Sequence, residues 1–276
     1  MPRYFDFLIE GFRRGEVGRL VHLGHWETAP AAGGPGEFAR AQERLNAVLL
    51  EMAGLRNGQD ILDVGCGFGG TLQVINRAHA DVRLTGVNID PRQLELCRQI
   101  ESYAGNSIRW EQADACRLPF PDQSVDRVLC IEAMFHFDSR RAFFAEAARV
   151  LRPGGRLVAS DITLADPTGN AGAPTFAPEA ALRDGYGPWP DLWGEDADHR
   201  ALAAAAGLDC IACVDATSNT LPSHRFTCPV SLDERADPGD PTLRAALMLK
   251  WLHRQGYLRY WYMSFDKTDQ HAARSV

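Results

Sequence analysis

The sequence lacks an apolar run long enough to span a bilayer, and its first residues, Met1 to Tyr4, do not begin a signal peptide. It also lacks a basic excess, since 29 Lys and Arg stand against 36 Asp and Glu, for a net charge of −7. Binding to nucleic acid or to an anionic membrane surface needs a basic face. We therefore expect a cytoplasmic protein with no nucleic-acid partner and no membrane partner.

Cysteine is present, but not in the pattern of a disulfide framework or a metal site. The seven cysteines are scattered, and an odd number cannot pair completely. The single CxxC, Cys210 to Cys213, has no second CxxC to complete a zinc site, so we interpret it as two small residues of a buried strand. We predict no metal. Internal repeats and low-complexity tracts are absent as well.

The most informative segment is a short apolar strand that runs into a glycine cluster, residues 61–70, and continues into helix-compatible sequence. This pattern predicts a strand, a tight turn and a helix N-terminus. Gly65 and Gly67, on either side of Cys66, lack the Cβ that would block the close approach of a nucleotide-like ligand. Asp63 precedes them at the end of the strand. Since a glycine pattern alone is weak, the interpretation depends on the segments that follow.

Two further predicted strands end in polar residues where a nucleoside site needs them. A ribose-binding side chain is expected about 20 residues beyond the glycines, where Asn88 and Asp90 occur. Strand alternation directs both to one side, so either could bind the ribose hydroxyls. After the third strand, the carboxylate of Asp114 can accept the exocyclic amino group of adenine. The predicted cofactor-binding residues of these segments are Asn88, Ile89, Asp90, Gln93, Ala113, Asp114 and Ala115.

With these residues in view, the chain resembles the class I S-adenosylmethionine-dependent methyltransferases over roughly residues 60–165. The resemblance rests on Asp-Val-Gly-Cys-Gly-x-Gly, on Leu-Pro-Phe after Asp114, and on the Leu-Arg-Pro-Gly-Gly turn at residues 151–155. Upstream, the segment from His22 to Trp26 is similar to the His-x-Gly-x-Trp segment of small-molecule methyltransferases. The most similar group is the bacterial one that methylates sugars, macrolides and aromatic aglycones, in secondary metabolism and antibiotic biosynthesis. Many family members carry Asp in place of Asn88, so the ribose-binding residue stays open.

The resemblance implies S-adenosyl-L-methionine as the cofactor and adds Trp26, Glu132 and Ala133 to the cofactor-binding residues. It also implies an α/β fold, a Rossmann-like three-layer sandwich with a seven-stranded, mostly parallel sheet and an antiparallel last strand. We predict a single methyltransferase domain over residues 1–276. Its parts are a helical cap at 1–55, a donor-binding core at 56–164, a lid or acceptor insertion at 165–200, and the C-terminal part of the sheet at 201–276.

The part of the insertion at about residues 165–195 is aromatic, and we predict it to be too irregular for a helix. Long loops inside compact domains are usually functional, so we expect it to form a hydrophobic wall of the acceptor pocket. The N-terminal apolar stripe, residues 1–20, is expected to be core or a cap over the ligand, and it would also serve a homo-oligomer. The predicted acceptor-contacting residues are Phe135, Phe137, Tyr186, Trp189 and Trp193.

Methyl transfer to a hydroxyl also requires a group that takes the proton. His136 follows the fourth strand at the carboxyl edge of the sheet, and histidine titrates near neutrality. Asp161 follows the fifth strand on that edge, and similar methyltransferases of sugars place a histidine and an aspartate at these two points. We therefore expect O-methylation of a bulky, partly apolar natural product, with His136 and Asp161 as the catalytic residues. The alternative makes them a helix-start residue and an N-cap.

Two other functions stay open at this point. One keeps the donor and methylates carbon or nitrogen, because an amine needs little help from a base and an alkene needs aromatic rings that stabilise a cation. The other is a dinucleotide-binding oxidoreductase or a non-catalytic nucleotide-binding module. Asp63, Asp114 and the absence of a visible hydride-transfer constellation disfavour it.

Overall fold

A computed structural model describes residues 2–28, 36–165, 178–228 and 239–268. Within these residues one sheet of seven strands has the order β3-β2-β1-β4-β5-β7-β6. The first five strands run parallel, and β7 is antiparallel to both of its neighbours, β5 and β6. The strands are β1 (Asp60–Val64), β2 (Arg83–Asn88), β3 (Ser107–Gln112), β4 (Val125–Ile131), β5 (Leu151–Leu164), β6 (Leu208–Asp215) and β7 (Leu258–Lys267). The fold predicted from the sequence is confirmed.

Helices cover both faces of this sheet. They are α1 (Tyr4–Arg13), α2 (Glu37–Ala53), α3 (Gly70–Ala78), α4 (Pro91–Cys97), α5 (Arg140–Val150), α6 (Pro178–Tyr186), α7 (Asp196–Ala205), α8 (Thr217–Thr220), α9 (His224–Thr227) and α10 (Pro241–Arg254), with 3-10 turns at Met134–His136 and Leu221–Ser223. Strand β1 shows the layering, because Ile61 packs into a core with α2, α3 and α10, whereas Leu62 packs into a core with α5 and α7. Such unbroken burial is typical of parallel strands covered on both faces.

The predicted insertion differs from expectation in one part. Residues 166–177 lie outside the described residues, but residues 178–186 form α6, so the prediction of a segment too irregular for a helix is wrong there. The helix packs against α10 so closely that a Cβ on Gly185 would lie 2.4 Å from the Cβ of Ala245. This tertiary contact compensates for a weak local pattern, which is why the sequence did not predict the helix.

As for membrane crossing, none of the helices within the described ranges has the length and apolar character that a span requires.

Candidate active site

A cavity of about 290 Å³ lies at the carboxyl ends of β1, β2, β3 and β4. This is the edge where open α/β sheets bind ligands, because loops and helix N-termini meet there. Most of the residues predicted for the site line it. They are Asp63, Gly65, Cys66, Gly67, Asn88, Ile89, Gln93, Ala113, Asp114, Ala115, Glu132, Ala133, His136 and Phe137.

The glycine turn after β1 forms the floor of the cavity. The backbone N–H groups of Gly65 and Cys66 both donate to the carbonyl oxygen of Val87, at 2.9 and 3.0 Å, and so fix the turn to β2. Gly65 has a φ of 78°, and a Cβ there would lie 2.4 Å from the Cβ of Ala133. A left-handed backbone and a close approach at one position require glycine.

Two acids lie beside this turn, Asp63 buried and Glu132 half-buried. Asp63 is 2% exposed, and no charged neighbour contributes to the shift of its pKa. Burial raises the pKa of Asp63 to about 7. Glu132 accepts hydrogen bonds from the Leu23 N–H (2.9 Å) and the Tyr260 hydroxyl (2.5 Å), yet burial still raises its pKa to about 7. A buried acid without a cationic partner in the protein suits a cationic ligand.

The two candidates for the ribose hydroxyls lie in different places. Asn88 ends β2 and lines the cavity, where its Nδ2 donates to Gln93 Oε1 at 3.1 Å. Asp90 instead caps α4 by accepting from the Arg92 N–H, and it forms an ion pair with the Arg92 guanidinium at 2.7 Å. Burial would raise the pKa of Asp90, but its hydrogen bonds from Arg92 keep the pKa below its usual value. Strand alternation does not carry over to Asp90 because the strand has already ended.

Asp114 follows β3 and lines the cavity, and one of its carboxylate oxygens accepts from the Cys116 N–H at 2.8 Å. Ile89 also lines it and is 53% exposed, which leaves an apolar surface beside the polar tips of β2 and β3. The combination of an apolar face and an acid at one end suits a purine ring with an exocyclic amino group.

His136 closes the 3-10 turn after β4, and its half-buried imidazole lies at the wall of the cavity. Its Nε2 lies 2.6 Å from the hydroxyl of Tyr4, and its Nδ1 is buried with no hydrogen-bond partner in the described part of the chain. Burial lowers the pKa of His136 to about 3, although the charge of Asp161 acts in the opposite direction. The imidazole is therefore neutral at physiological pH.

The expected pairing of His136 with Asp161 is wrong. Asp161 is fully buried on β5 and does not line the cavity; its carboxylate binds Arg140 at 2.6 Å and His199 at 2.9 Å. Burial would raise the pKa of Asp161, but Arg140 and His199 hold it below its usual value. The aspartate holds α5 and α7 against the sheet and acts on His136 only through its charge.

Trp26 also lies elsewhere than expected. Its indole N–H donates to Ser223 Oγ at 2.9 Å, and its ring stacks on Phe226 with centroids 5.3 Å apart. These contacts attach the segment after α1 to the short helices near residue 224, and Trp26 does not line the cavity. It supports the site from behind.

Four of the five predicted acceptor residues lie behind the cavity wall or outside it. Phe135 and Trp189 pack on each other with ring centroids 4.5 Å apart. Tyr186 meets the ring of Tyr4 edge to face at 5.0 Å. Trp193 is 41% exposed and donates to Glu179 at 3.2 Å. Phe137 alone of the five lines the cavity.

The roof of the cavity is formed by residues that the sequence indicated only in part, through Tyr4, Phe5 and Leu8 of the apolar stripe. The residues of the roof are Pro2, Tyr4, Phe5, Leu8, Arg19, Leu20, Val21, His22 and Pro188. The apolar stripe of residues 1–20 indicated a cap but not which side chains face inward. In this roof His22 has a fixed tautomer, because its Nδ1 lies 2.7 Å from the Leu23 carbonyl oxygen, which only accepts. Its Nε2 is then an acceptor, buried without a partner among the described residues.

Comparison with known proteins agrees with this geometry. A family model described as a methyltransferase domain matches residues 62–159. Methyltransferase GfsG of Streptomyces halstedii is 33% identical over 76% of this chain and 73% of its own length. An O-methyltransferase of Pyrenophora dematioidea is 30% identical over 87% of this chain and 86% of its own.

Among solved structures, geranyl diphosphate C-methyltransferase from Streptomyces coelicolor A3(2), bound to Mg²⁺, geranyl diphosphate and S-adenosyl-L-homocysteine, superposes with a TM-score of 0.71. The two share 20% identity, over 96% of this chain and 98% of that one. The chain belongs to the class I S-adenosylmethionine-dependent methyltransferases. Within that class it is a methyltransferase of the secondary-metabolite type, with S-adenosyl-L-methionine as its cofactor. The predicted family and cofactor are confirmed, and the oxidoreductase alternative has no support.

Proposed function

We propose that this enzyme methylates a hydroxyl group of a bulky, partly apolar natural product, and that His136 is the final acceptor of the hydroxyl proton. The observation that carries the proposal is a neutral imidazole at the cavity wall, whose Nε2 lies 2.6 Å from the Tyr4 hydroxyl, its one hydrogen-bond partner among the described residues. A neutral imidazole at this edge of the sheet has a lone pair available for a proton. The O-methyltransferase relative supports this choice of acceptor atom.

The floor of the cavity fits the donor. The turn at Gly65 and Gly67, which has no Cβ at these positions, would leave room for the methionine part of the donor. The buried acid Asp63 would face the positive charge of the donor. Asn88 would bind the ribose hydroxyls, and Asp114 the adenine amino group. When bound, S-adenosylmethionine supplies a methyl group activated by the positive charge on sulfur. The protein therefore has to align the reactants, exclude water and remove the proton.

The roof fits the acceptor. Tyr4, Phe5, Leu8 and Pro188 face the cavity opposite the glycine turn, together with Phe137 from below. These side chains are apolar over most of their surface, so they favour an acceptor with an apolar body and exclude water from the reacting atoms.

The test is His136→Ala, compared with His79→Ala at the end of α3 as a control outside the cavity. We expect donor affinity, measured by calorimetry, to stay within about twofold, and turnover to fall by about 10² to 10⁴. The control should match the unaltered enzyme in both measurements. Undiminished turnover in His136→Ala would contradict the role of His136.

Methylation of carbon or nitrogen is the second candidate, and the aromatic rings of Tyr4, Phe5 and Phe137 around the cavity favour it. Such rings stabilise a cation that forms when an alkene is methylated. Mass spectrometry of the product made with isotope-labelled donor distinguishes the two, because it locates the new methyl group on oxygen, carbon or nitrogen.

A further inference from the structure

We propose that Tyr4 is a catalytic residue of this enzyme, a proton relay whose hydroxyl stands between the acceptor and His136. The proposal rests on the function proposed above and adds a second group to the proton path. Tyr4 comes from α1, 132 residues away from His136 in the chain. Nothing in the motifs of the donor site indicates it.

The geometry puts Tyr4 in the path. The phenol oxygen lies 2.6 Å from His136 Nε2, and the two rings stack with centroids 5.6 Å apart and an angle of 27° between their planes. The other ring nitrogen, Nδ1, is buried and has no partner among the described residues. One nitrogen is thus enclosed and the other is bound to Tyr4, which itself lines the cavity. A hydroxyl in the cavity reaches the imidazole through the phenol.

The direction of the hydrogen bond follows from the surroundings. Burial raises the pKa of Tyr4 well above its usual value, and the charge of Glu132 adds to this, so the phenol keeps its proton. His136 is neutral. A neutral phenol is the stronger donor of the two, so its O–H points to Nε2 and the imidazole proton resides on Nδ1.

The relay conserves every proton. The acceptor O–H bond breaks and its proton forms a bond to the phenol oxygen, while the original phenol proton moves to Nε2 and gives an imidazolium. The electron pair of the acceptor oxygen forms the new bond to the methyl carbon, and the electron pair of the old carbon–sulfur bond returns to sulfur. Burial of the ring opposes the imidazolium, and the negative charge of Asp161 offsets part of that cost.

Two neighbours hold the phenol in place. Tyr186 meets the ring of Tyr4 edge to face at 5.0 Å, and Phe5 packs against it at 4.7 Å. Phe5 is part of the roof and Tyr186 lies behind it, so α1, which excludes water from the cavity, also carries the relay. A side chain that only fills the cavity, a plug, would occupy the same position. The experiment therefore has to distinguish a proton relay from a plug.

The experiment compares Tyr4→Phe, His136→Ala and the double variant, with Phe7→Leu as a control on an exposed position of the same helix. Tyr4→Phe keeps the ring and removes the hydroxyl. We expect kcat to fall by about 10²-fold while donor affinity stays within about twofold. The double variant should be no slower than His136→Ala, because residues that act in one path are not additive.

A second measurement tests how many protons move in the rate-limiting step. In mixtures of H₂O and D₂O, kcat of the unaltered enzyme and of Phe7→Leu should show the curved dependence of two moving protons. Tyr4→Phe should show the linear dependence of one.

The outcomes separate the two proposals. If Tyr4→Phe keeps or raises turnover while His136→Ala is slow, Tyr4 is only a plug that the acceptor displaces; the relay is then wrong, and His136 keeps its role. If the two single effects multiply in the double variant, the groups act independently and the relay is again wrong. If His136→Ala turns over normally, the proposed function itself fails.

Discussion

The floor and the roof of the cavity are held in different ways. The floor, residues 63–67 with the tips of β2 and β3, is fixed by backbone hydrogen bonds such as those from Gly65 and Cys66 to the Val87 carbonyl. The roof, α1 with residues 19–22 and Pro188, is held by side chains that come from distant parts of the chain. Tyr4 binds His136, and Asp6 binds Arg92 on α4.

Because of this difference, we expect the roof to tolerate substitutions better than the floor. The Asp6–Arg92 pair is 64% and 46% exposed, and exposed ion pairs contribute about 0–1 kcal/mol. The floor leaves no room for a larger side chain, because a Cβ on Gly65 would overlap the side chain of Ala133. We infer that the floor is specialised for one donor, whereas the roof can change its side chains to suit different acceptors without loss of the fold.

The largest expected effect concerns the support of the roof. Arg140 binds Asp161 with both charges buried, and its backbone N–H donates to Asp191 of the loop that carries Pro188. Arg140→Met leaves the Asp161 carboxylate without its main partner, so unfolding in urea should show a loss of about 3–5 kcal/mol. The double variant with Asp161→Leu should recover much of it. A small loss in the single variant would mean that His199 alone satisfies Asp161.

The next effect tests the floor. Gly65→Ala puts a Cβ 2.4 Å from that of Ala133 at a φ of 78°, so donor affinity measured by calorimetry should fall by at least about 100-fold. Gly58→Ala is the matched control, since Gly58 has a φ of 80° and a Cβ there meets nothing within 4 Å. It carries the same backbone strain and should bind the donor normally. Normal donor binding by Gly65→Ala would show that the turn can move to accommodate the Cβ. The floor would then tolerate substitutions as well as the roof does.

The third effect concerns charge in the floor. Burial raises the pKa of Asp63 to about 7 in the free enzyme, and a bound cation lowers it, so the donor binds the ionised form. Affinity should therefore be full above pH 7 and fall as the pH drops through 7, by about tenfold per pH unit. Asp63→Asn should flatten this dependence. Burial also raises the pKa of Glu132 to about 7, so the variant Glu132→Gln measures how much Glu132 contributes to the pH dependence of donor affinity.

The floor of the cavity was predictable from the sequence to a greater extent than the roof. The strands, the glycine turn, Asp63, Asn88 and Asp114 were predictable, because each follows its strand directly and the parallel sheet brings the strand ends together. The CxxC at Cys210 to Cys213, interpreted from the sequence as part of a strand, lies on β6. Local pattern suffices where function and fold use the same few consecutive residues.

Roles that depend on a distant partner were not predictable. Asp161 has the sequence position of a catalytic acid, but Arg140 and His199, which lie 21 and 38 residues away, bind it inside the core. Tyr4 had no motif, because its role comes from a contact across 132 residues. A single sequence contains no record of such contacts.

The smallest effect separates two residues that the sequence could not distinguish. Asn88 lines the cavity, whereas Asp90 is 1% exposed and bound to Arg92. If Asn88 binds the ribose as proposed, Asn88→Ala should weaken donor binding about tenfold, the value of a good hydrogen bond. Asp90→Asn keeps the cap of α4 and should change donor affinity by less than about twofold, with a loss of stability of about 1 kcal/mol from the broken pair. If Asp90→Asn proves the more damaging in calorimetry, the ribose lies at the start of α4. The floor would then extend past the last residue of β2, and its boundary with the roof would run through Arg92.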